Sequence, residues 1–151
     1  MPAVKRYKFR LGGVMRVREI VEEQSRVAMI EAQNEMEAAT KVLDTRLAEI
    51  GAARPAPGLR SAYEFLAQRD QIDRHLTAIA AARTAEANAR LALSEARESW
   101  TAAAQDVRVL ERLDDRRHEA WVLETTRQAQ LVTDEIATTR YKVDENRWEE
   151  D

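Results

Sequence analysis

The sequence predicts an all-α fold, a long antiparallel two-helix coiled-coil hairpin with an overhanging C-terminal helix. Three observations carry this prediction. Charged residues make up 34% of the 151 residues and aromatic residues only 5%, which is typical of long helices packed on each other rather than of a large globular core. Apolar side chains recur at alternating spacings of three and four residues, as in coiled coils. Two long runs without glycine or proline flank one short segment that contains both.

That short segment is predicted to be a turn over residues 51–60. It begins with the sequence GAARPAPG and holds two of the four glycines and two of the three prolines. Glycine ends helices, and proline has no N–H group to continue them. Both flanking runs carry an apolar stripe that needs a cover, so a hairpin is favoured over the alternative, a flexible linker between two separate helices. The prediction is therefore one helical-hairpin domain over residues 1–151.

The first helix is predicted over residues 14–50. Its seam, the face toward the second helix, consists of two lanes of residues at seven-residue spacing. One lane contains Met15, Glu22, Met29, Met36, Leu43 and Ile50, and the other contains Leu11, Arg18, Ser25, Ala32, Ala39 and Arg46. Because three polar residues lie at positions 18, 22 and 25, the half of the seam near residue 14 is weaker than the far half.

The second helix is predicted over residues 61–143, followed by a frayed acidic tail over 144–151. Ser61 is the predicted N-cap, since Glu64 follows three residues later at the spacing of a capping box. Large seam residues alternate with alanine, which lets two helices approach closely. One lane contains Phe65, Ile72, Ile79, Glu86, Leu93, Trp100, Val107, Asp114 and Trp121, and the other contains His75, Ala82, Ala89, Ala96, Ala103, Leu110 and Arg117.

The second helix is much longer than the first, so part of it is predicted to overhang. Counted from Ser61, the first helix covers the second only to about residue 98. The remainder still carries large apolar residues: Trp100, Val107, Leu110, Leu113, Trp121, Leu123 and Leu131. Exposed apolar stripes of this extent mark interaction surfaces. Three covers are open: the N-terminal segment folding back, a second copy of the chain, or another protein. Residues 1–13 themselves are either a frayed end or a docking arm that offers alternating basic and apolar side chains to a partner.

The residues needed for catalysis or metal binding are not combined in any familiar pattern. His75 and His118 are the only histidines, there is no cysteine, and Gly12-Gly13 lacks the following Lys-Ser/Thr of a phosphate-binding loop. His75 lies at a seam position and is expected to be an interface histidine. We therefore expect no catalytic, metal-binding or cofactor-binding residues, no cofactor and no enzymatic activity.

Charge and hydropathy also exclude several partners. The net charge is −3, and the basic residues at 108, 112, 116 and 117 are interspersed with acidic ones, so no nucleic-acid partner is expected. No apolar run approaches the roughly 20 residues of a membrane span, so direct membrane insertion is not expected. The basic N-terminus has no apolar region after it and is not a signal peptide. The lack of cysteine fits a cytosolic protein.

Five segments, in order along the chain, resemble the FliJ family of the bacterial flagellar type III export apparatus. The run FRLGGVMRVR at 9–18 is similar to the family's aromatic-basic-leucine start, and the turn near residue 55 lies where the family turns. The run YEFL at 63–66 is similar to the aromatic cluster that restarts its second helix. Residues 99–117 resemble its most recognisable run, and DEIATTR at 134–140 resembles its ending.

The resemblance implies a non-catalytic coiled-coil protein that acts as a stalk in the ring of the flagellar export ATPase hexamer. It also implies contact with the cytoplasmic domain of the export gate and with export chaperones, in the cytoplasm and peripherally at the flagellar basal body at the inner membrane. Carried onto this chain, the residues of the ATPase-facing end are Trp100, Val107, Leu110, Leu113 and Arg117. Those of the gate-facing end are Val42, Arg46, Leu47, Phe65 and Leu66.

Two other functions remain open at this point. One is a structural or adaptor coiled coil of a different machine, such as the injectisome counterpart of the family or a stalk of a rotary ATPase, because any stalk needs the same pattern. The other is a self-associating helical scaffold that covers its overhang by dimerisation. The mass in solution distinguishes the two, because a stalk can be a monomer of 17.2 kDa whereas an obligate dimer cannot.

Overall fold

A computed structural model describes the backbone of residues 6–53, 58 and 61–148, and the side chains as far as residue 140. Two α-helices account for nearly all of it: α1 spans Gly12–Ala52 and α2 spans Ala62–Trp148. The described ranges contain no strand, and α1 and α2 pack against each other. The predicted all-α helical hairpin is confirmed.

The helices are slightly longer than the sequence predicted. Helix α1 begins two residues before the predicted start and ends two residues later, and α2 continues through Trp148 rather than ending at 143. The tail expected to be frayed is therefore helical over 144–148, and its last three residues lie outside the described residues. Most of the predicted turn, 54–57 and 59–60, also lies outside them.

The chain divides into two compact units. Unit 1 comprises Met1–Arg18 and Asp106–Asp151, and unit 2 comprises Glu19–Gln105. Each unit contains part of α2 packed against residues from the N-terminal half of the chain. The single domain predicted over residues 1–151 stays a prediction.

In unit 2 the two helices run antiparallel. Trp100 of α2 contacts Glu22 of α1, and His75 of α2 lies 4.0 Å from the carboxylate of Glu49. From the first contact to the second, the residue number on α1 increases by 27 while the residue number on α2 decreases by 25, as in two antiparallel helices. His75 is an interface histidine, as predicted, with a side chain that is 22% exposed.

The buried core lies on the predicted lanes of α2. Its four members are Ile79, Ala82, Leu93 and Ala103, each 9% exposed or less. Small residues at 82 and 103 bring the backbones together, and the larger residues at 79 and 93 fill the space between them. On α1, the six residues of the lane from 15 to 50 are all half-buried. The seven-residue spacing therefore identified the lane from 15 to 50 on α1 and the buried core of α2, whereas lane residues 18, 46, 65 and 117 are exposed.

The start of α2 is fixed by the capping box that the sequence predicted. The backbone N–H of Glu64 donates to Ser61 Oγ at 3.2 Å, and the backbone N–H of Ser61 donates to Glu64 Oε2 at 2.9 Å. Both N–H groups lie at a helix N-terminus and have no partner within the helix, so the two side chains satisfy them reciprocally. Before the cap, Gly58 has φ of 149°, a conformation that residues with a Cβ rarely adopt.

Candidate partner-binding surfaces

Residues 6–11 precede α1 and lie along α2 in unit 1; we call them the N-terminal strap. Exposure alternates along the strap: Tyr7, Phe9 and Leu11 are half-buried, whereas the basic residues at 6, 8 and 10 are exposed. Over residues 6–9 this alternation is that of an extended chain with one face on a surface, and residues 9–12 then form a turn closed by a hydrogen bond from the Gly12 N–H to the Phe9 carbonyl at 3.2 Å. The described residues of the N-terminal segment thus fold back over part of α2, one of the three covers that the sequence left open. A docking arm offered to a partner stays a prediction.

Tyr7 makes the only side-chain hydrogen bonds recorded for the strap within the described residues. Its hydroxyl donates to Asp114 Oδ1 at 2.5 Å and lies 3.2 Å from the backbone carbonyl oxygen of the same residue. Partial burial of the ring, this hydrogen bond and the negative charge of Asp114 together raise the pKa of Tyr7 to about 12. The hydroxyl therefore stays protonated to higher pH than that of an exposed tyrosine and remains a hydrogen-bond donor to Asp114.

Aromatic contacts hold the strap against the next turns of α2. The ring of Tyr7 meets His118 edge-on with centroids 4.9 Å apart and lies 5.8 Å from the ring of Trp121. His118 stacks on Trp121 at 5.9 Å. The guanidinium of Arg117 lies over the ring of Phe9 at 5.8 Å, within range of a cation–π contact. These contacts cover one side of α2 at a level that α1, which begins at Gly12, does not reach.

The first helix and the strap cover more of α2 than the sequence predicted. Pairing was expected to end near residue 98, yet Trp100 Nε1 donates to Glu22 Oε1 at 2.7 Å, and Arg18 lies 3.1 Å from Asp106. The predicted pairing was counted from Ser61, at the start of the second helix. In the structure it is His75 that lies beside Glu49, near the end of α1. The first turns of α2 therefore extend past the end of α1, and the covered stretch is displaced toward the C-terminus.

The residues predicted for the ATPase-facing end accordingly fall into two environments. Trp100, in unit 2, is half-buried and hydrogen-bonded. In unit 1, Val107, Leu110 and Leu113 are half-buried, and Arg117 is exposed beside the strap. Four of the five side chains are therefore half-buried, and the guanidinium of the exposed Arg117 contacts the ring of Phe9 in the strap.

Beyond Trp121, α2 presents an uncovered surface. Residues 126–140 are exposed without interruption. The stretch includes three large apolar side chains with exposed fractions of 60% at Leu131, 44% at Val132 and 51% at Ile136, and Leu123 before it is 72% exposed. We call residues 122–140 the C-terminal overhang. Apolar side chains along a helix that no described part of the chain covers point to a partner.

The residues predicted for the gate-facing end all lie in unit 2 and are all exposed. Phe65 and Leu66 are 62% and 60% exposed, and Val42 and Leu47 are 51% and 40% exposed. Arg46 is also exposed and pairs with Glu49 at 2.9 Å. The prediction that Phe65 lies in the seam is wrong, because α1 ends before it reaches that level. Since Glu49 is level with His75, Phe65 lies about 15 Å further along α2.

Over the ranges that the structure describes, no three acidic or histidine side chains are close enough together to hold a metal ion. The basic residues at 108, 112, 116 and 117 are exposed. No helix in these ranges is both long and apolar enough to span a membrane.

The family model for the flagellar FliJ protein matches residues 7–146. The chain belongs to the FliJ family. Comparison with curated proteins gave no match, and neither did comparison with solved structures. Family membership makes the chain a component of the flagellar export apparatus, in a family of non-catalytic proteins. The matched range includes the N-terminal strap almost entirely as well as the C-terminal overhang.

Sequence reasoning missed the contacts that hold the strap. It had placed Asp114 in a seam lane, and an acidic residue between Val107 and Trp121 was a signal that a hydrogen-bond donor would be needed there. Basic and apolar residues alternate over 5–11, but this pattern does not reveal which face of α2 receives the segment. Glu22 is a second acidic residue in a seam lane that needs a hydrogen-bond donor, and Trp100 donates to it.

Proposed function

We propose that this FliJ-family chain acts as a stalk in the ring of the flagellar export ATPase, with the C-terminal overhang and the adjoining part of unit 1 as the inserted end. The observation that carries the proposal is the exposure of α2 beyond Trp121. A helix with exposed Leu123, Leu131 and Ile136 needs a cover, and the inner wall of a ring would provide one on several sides at once. The flagellar export apparatus is the machine to which the FliJ family belongs.

The second part of the proposal concerns the hairpin-turn end of unit 2. Phe65 and Leu66 follow the capping box on the part of α2 that α1 does not cover, so their side chains are free to bind the cytoplasmic domain of the export gate. Large apolar residues on a rigid helix are suited to be anchors of an interface. Export chaperones are further proposed partners, and the proposed location is the cytoplasmic side of the flagellar basal body.

The test is the rate of ATP hydrolysis by the cognate export ATPase, titrated with the chain. Leu131→Ala and Arg117→Ala are expected to raise the concentration for half-maximal stimulation by about five-fold, the effect of losing roughly 1 kcal/mol at an interface. Leu91→Ala is the matched control, since Leu91 lies on the same helix and is 61% exposed against 60% for Leu131. Circular dichroism checks that each variant remains helical.

Absence of stimulation by the wild-type chain, or an equal effect of the Leu91 and Leu131 variants, would contradict the stalk proposal. The gate contact is tested separately, by binding of the isolated cytoplasmic gate domain to Phe65→Ala and Leu66→Ala. Loss of that binding is expected with stimulation of the ATPase unchanged. If Leu91→Ala weakens gate binding as much, the proposed gate surface is wrong.

Self-association is the second candidate function, favoured by the same exposed apolar residues. Two copies could cover Leu123, Leu131 and Ile136 of each other. Solution mass separates the two proposals, because an obligate scaffold would be a dimer at every concentration measured. A mass near 17.2 kDa would exclude the scaffold and leave the overhang free for the ring.

A further inference from the structure

The joint between the strap and α1 consists of two glycines that packing does not require. Helix α1 begins at Gly12, and a Cβ added to either Gly12 or Gly13 would meet nothing within 4 Å. Glycine in a helix gains more freedom on unfolding than any other residue, so two in succession weaken the first turn. Neither a lack of space for a side chain nor a positive φ requires glycine at these two positions. The two glycines are therefore suited to be a hinge.

Two backbone hydrogen bonds join the strap to the start of α1, from the Gly12 N–H to the Phe9 carbonyl at 3.2 Å and from the Met15 N–H to the Leu11 carbonyl at 2.9 Å. The other described contacts of the strap are few and lie on one face of α2. They are the hydrogen bond from Tyr7 to Asp114, the ring contacts of Tyr7, and the cation–π contact of Phe9 with Arg117. The basic side chains at 6, 8 and 10 point away and are exposed. The strap can therefore leave without breaking a buried ion pair or opening the core.

The residue that receives the strap is suited to repeated exposure to water. Asp114 occupies the lane between Val107 and Trp121, and its carboxylate accepts the Tyr7 hydroxyl when the strap is closed. A carboxylate that loses this donor is hydrated readily, whereas an apolar residue there would resist exposure. Opening the strap would free the ring of Trp121 and the guanidinium of Arg117.

We propose that the strap is a hinged cover that closes over α2 between Asp114 and Trp121 and must open before a partner binds there. The hinge is Gly12-Gly13, and the latch is the hydrogen bond between Tyr7 and Asp114. This inference rests on the proposed function, because Arg117 is one of the residues assigned to the ATPase-facing end. The ATPase and the strap then compete for the same face of α2, and the closed strap lowers the apparent affinity of the chain.

Tryptic cleavage of the full chain tests the latch without any partner. Cleavage after Lys8 and Arg10 needs an open strap, and its rate follows the open population when closing is fast. Tyr7→Phe removes only the hydroxyl and is expected to speed this cleavage by about five-fold, the effect of losing one hydrogen bond. Tyr63→Phe is the control, since Tyr63 is 81% exposed. Gly13→Ala stiffens the hinge in its observed helical form and is expected to slow cleavage by a similar factor.

Stimulation of the export ATPase tests the cover. Tyr7→Phe is expected to lower the concentration for half-maximal stimulation by up to about five-fold, and Gly13→Ala is expected to raise it. If Tyr7→Phe speeds cleavage but raises that concentration, the strap is part of the binding surface and not a cover. If cleavage does not change, the latch is wrong. If no variant stimulates the ATPase but cleavage changes as expected, the proposed function fails while the hinged strap stands.

Discussion

The indole Nε1 of Trp100 donates a 2.7 Å hydrogen bond to Glu22 Oε1, which joins two residues 78 positions apart in the sequence. Both residues lie in seam lanes, where a carboxylate without a donor would be costly. An apolar seam tolerates sliding by a heptad, whereas a polar pair of this kind is satisfied in one register only. We infer that the pair fixes which residues of α1 and α2 face each other in unit 2.

Removing the donor of this pair is expected to destabilise the chain. Trp100→Phe should lower the free energy of unfolding by about 1–2 kcal/mol, since it leaves the carboxylate of Glu22 unpaired and removes part of a half-buried ring. Urea denaturation followed by circular dichroism measures it. In the double variant Trp100→Phe/Glu22→Leu the loss is expected to be smaller than the sum of the single changes. Strict additivity would show that the two side chains do not interact.

The hydroxyl of Tyr7 is expected to ionise later than that of an exposed tyrosine. Its pKa is raised to about 12, from an ordinary value near 10, by partial burial and by the hydrogen bond to Asp114. Because the folded pKa is the higher one, the stabilisation is complete below pH of about 10 and is lost as the pH rises from there through about 12. Absorbance of tyrosinate during an alkaline titration should show a late step that Tyr7→Phe abolishes. A late step that persists in this variant would assign it elsewhere.

The capping box is expected to contribute measurably to the start of α2. Ser61→Ala removes the acceptor for the N–H of Glu64 and should cost about 1 kcal/mol of stability. Ser99→Ala, at an exposed position within α2, is the control and is expected to change stability little or to increase it slightly, because alanine has the higher helix propensity. Thermal unfolding compares the two variants. An equal effect of both changes would mean that the cap stabilises nothing.

Much of the hairpin could be predicted because its information is local and periodic. The lane from Met15 to Ile50 was half-buried throughout, and Ile79 and Leu93 were core residues because seven-residue spacing keeps one face toward a partner. Ser61 and Glu64 were recognised by spacing alone. Even the polar residues at 18, 22 and 25, which had counted against the seam, have partners: Arg18 pairs with Asp106, Glu22 accepts from Trp100, and Ser25 donates to the carbonyl of Val21.

The limits of pairing could not be predicted because they depend on the relative register of two distant segments. Periodicity identifies which face of a helix is covered but not by which residues, and an error of ten residues changes nothing in the pattern. The level of Glu49 with His75 depends on contacts between distant residues, such as the one between Trp100 and Glu22, which the spacing within one helix does not reveal. Nor did periodicity apply to the strap, whose contacts with His118 and Trp121 come from a non-helical segment.

The most direct test of the central claim is amide hydrogen exchange of the full chain, alone and bound to the hexameric export ATPase. The stalk account predicts that exchange slows over residues 106–140 on binding, because the exposed C-terminal overhang acquires a cover and its helix opens less often. Residues 61–72 should exchange at the same rate in both samples, since they belong to the proposed gate-facing end. Slowing confined to residues 61–72, with none over 106–140, would contradict the claim that this end of α2 enters the ring.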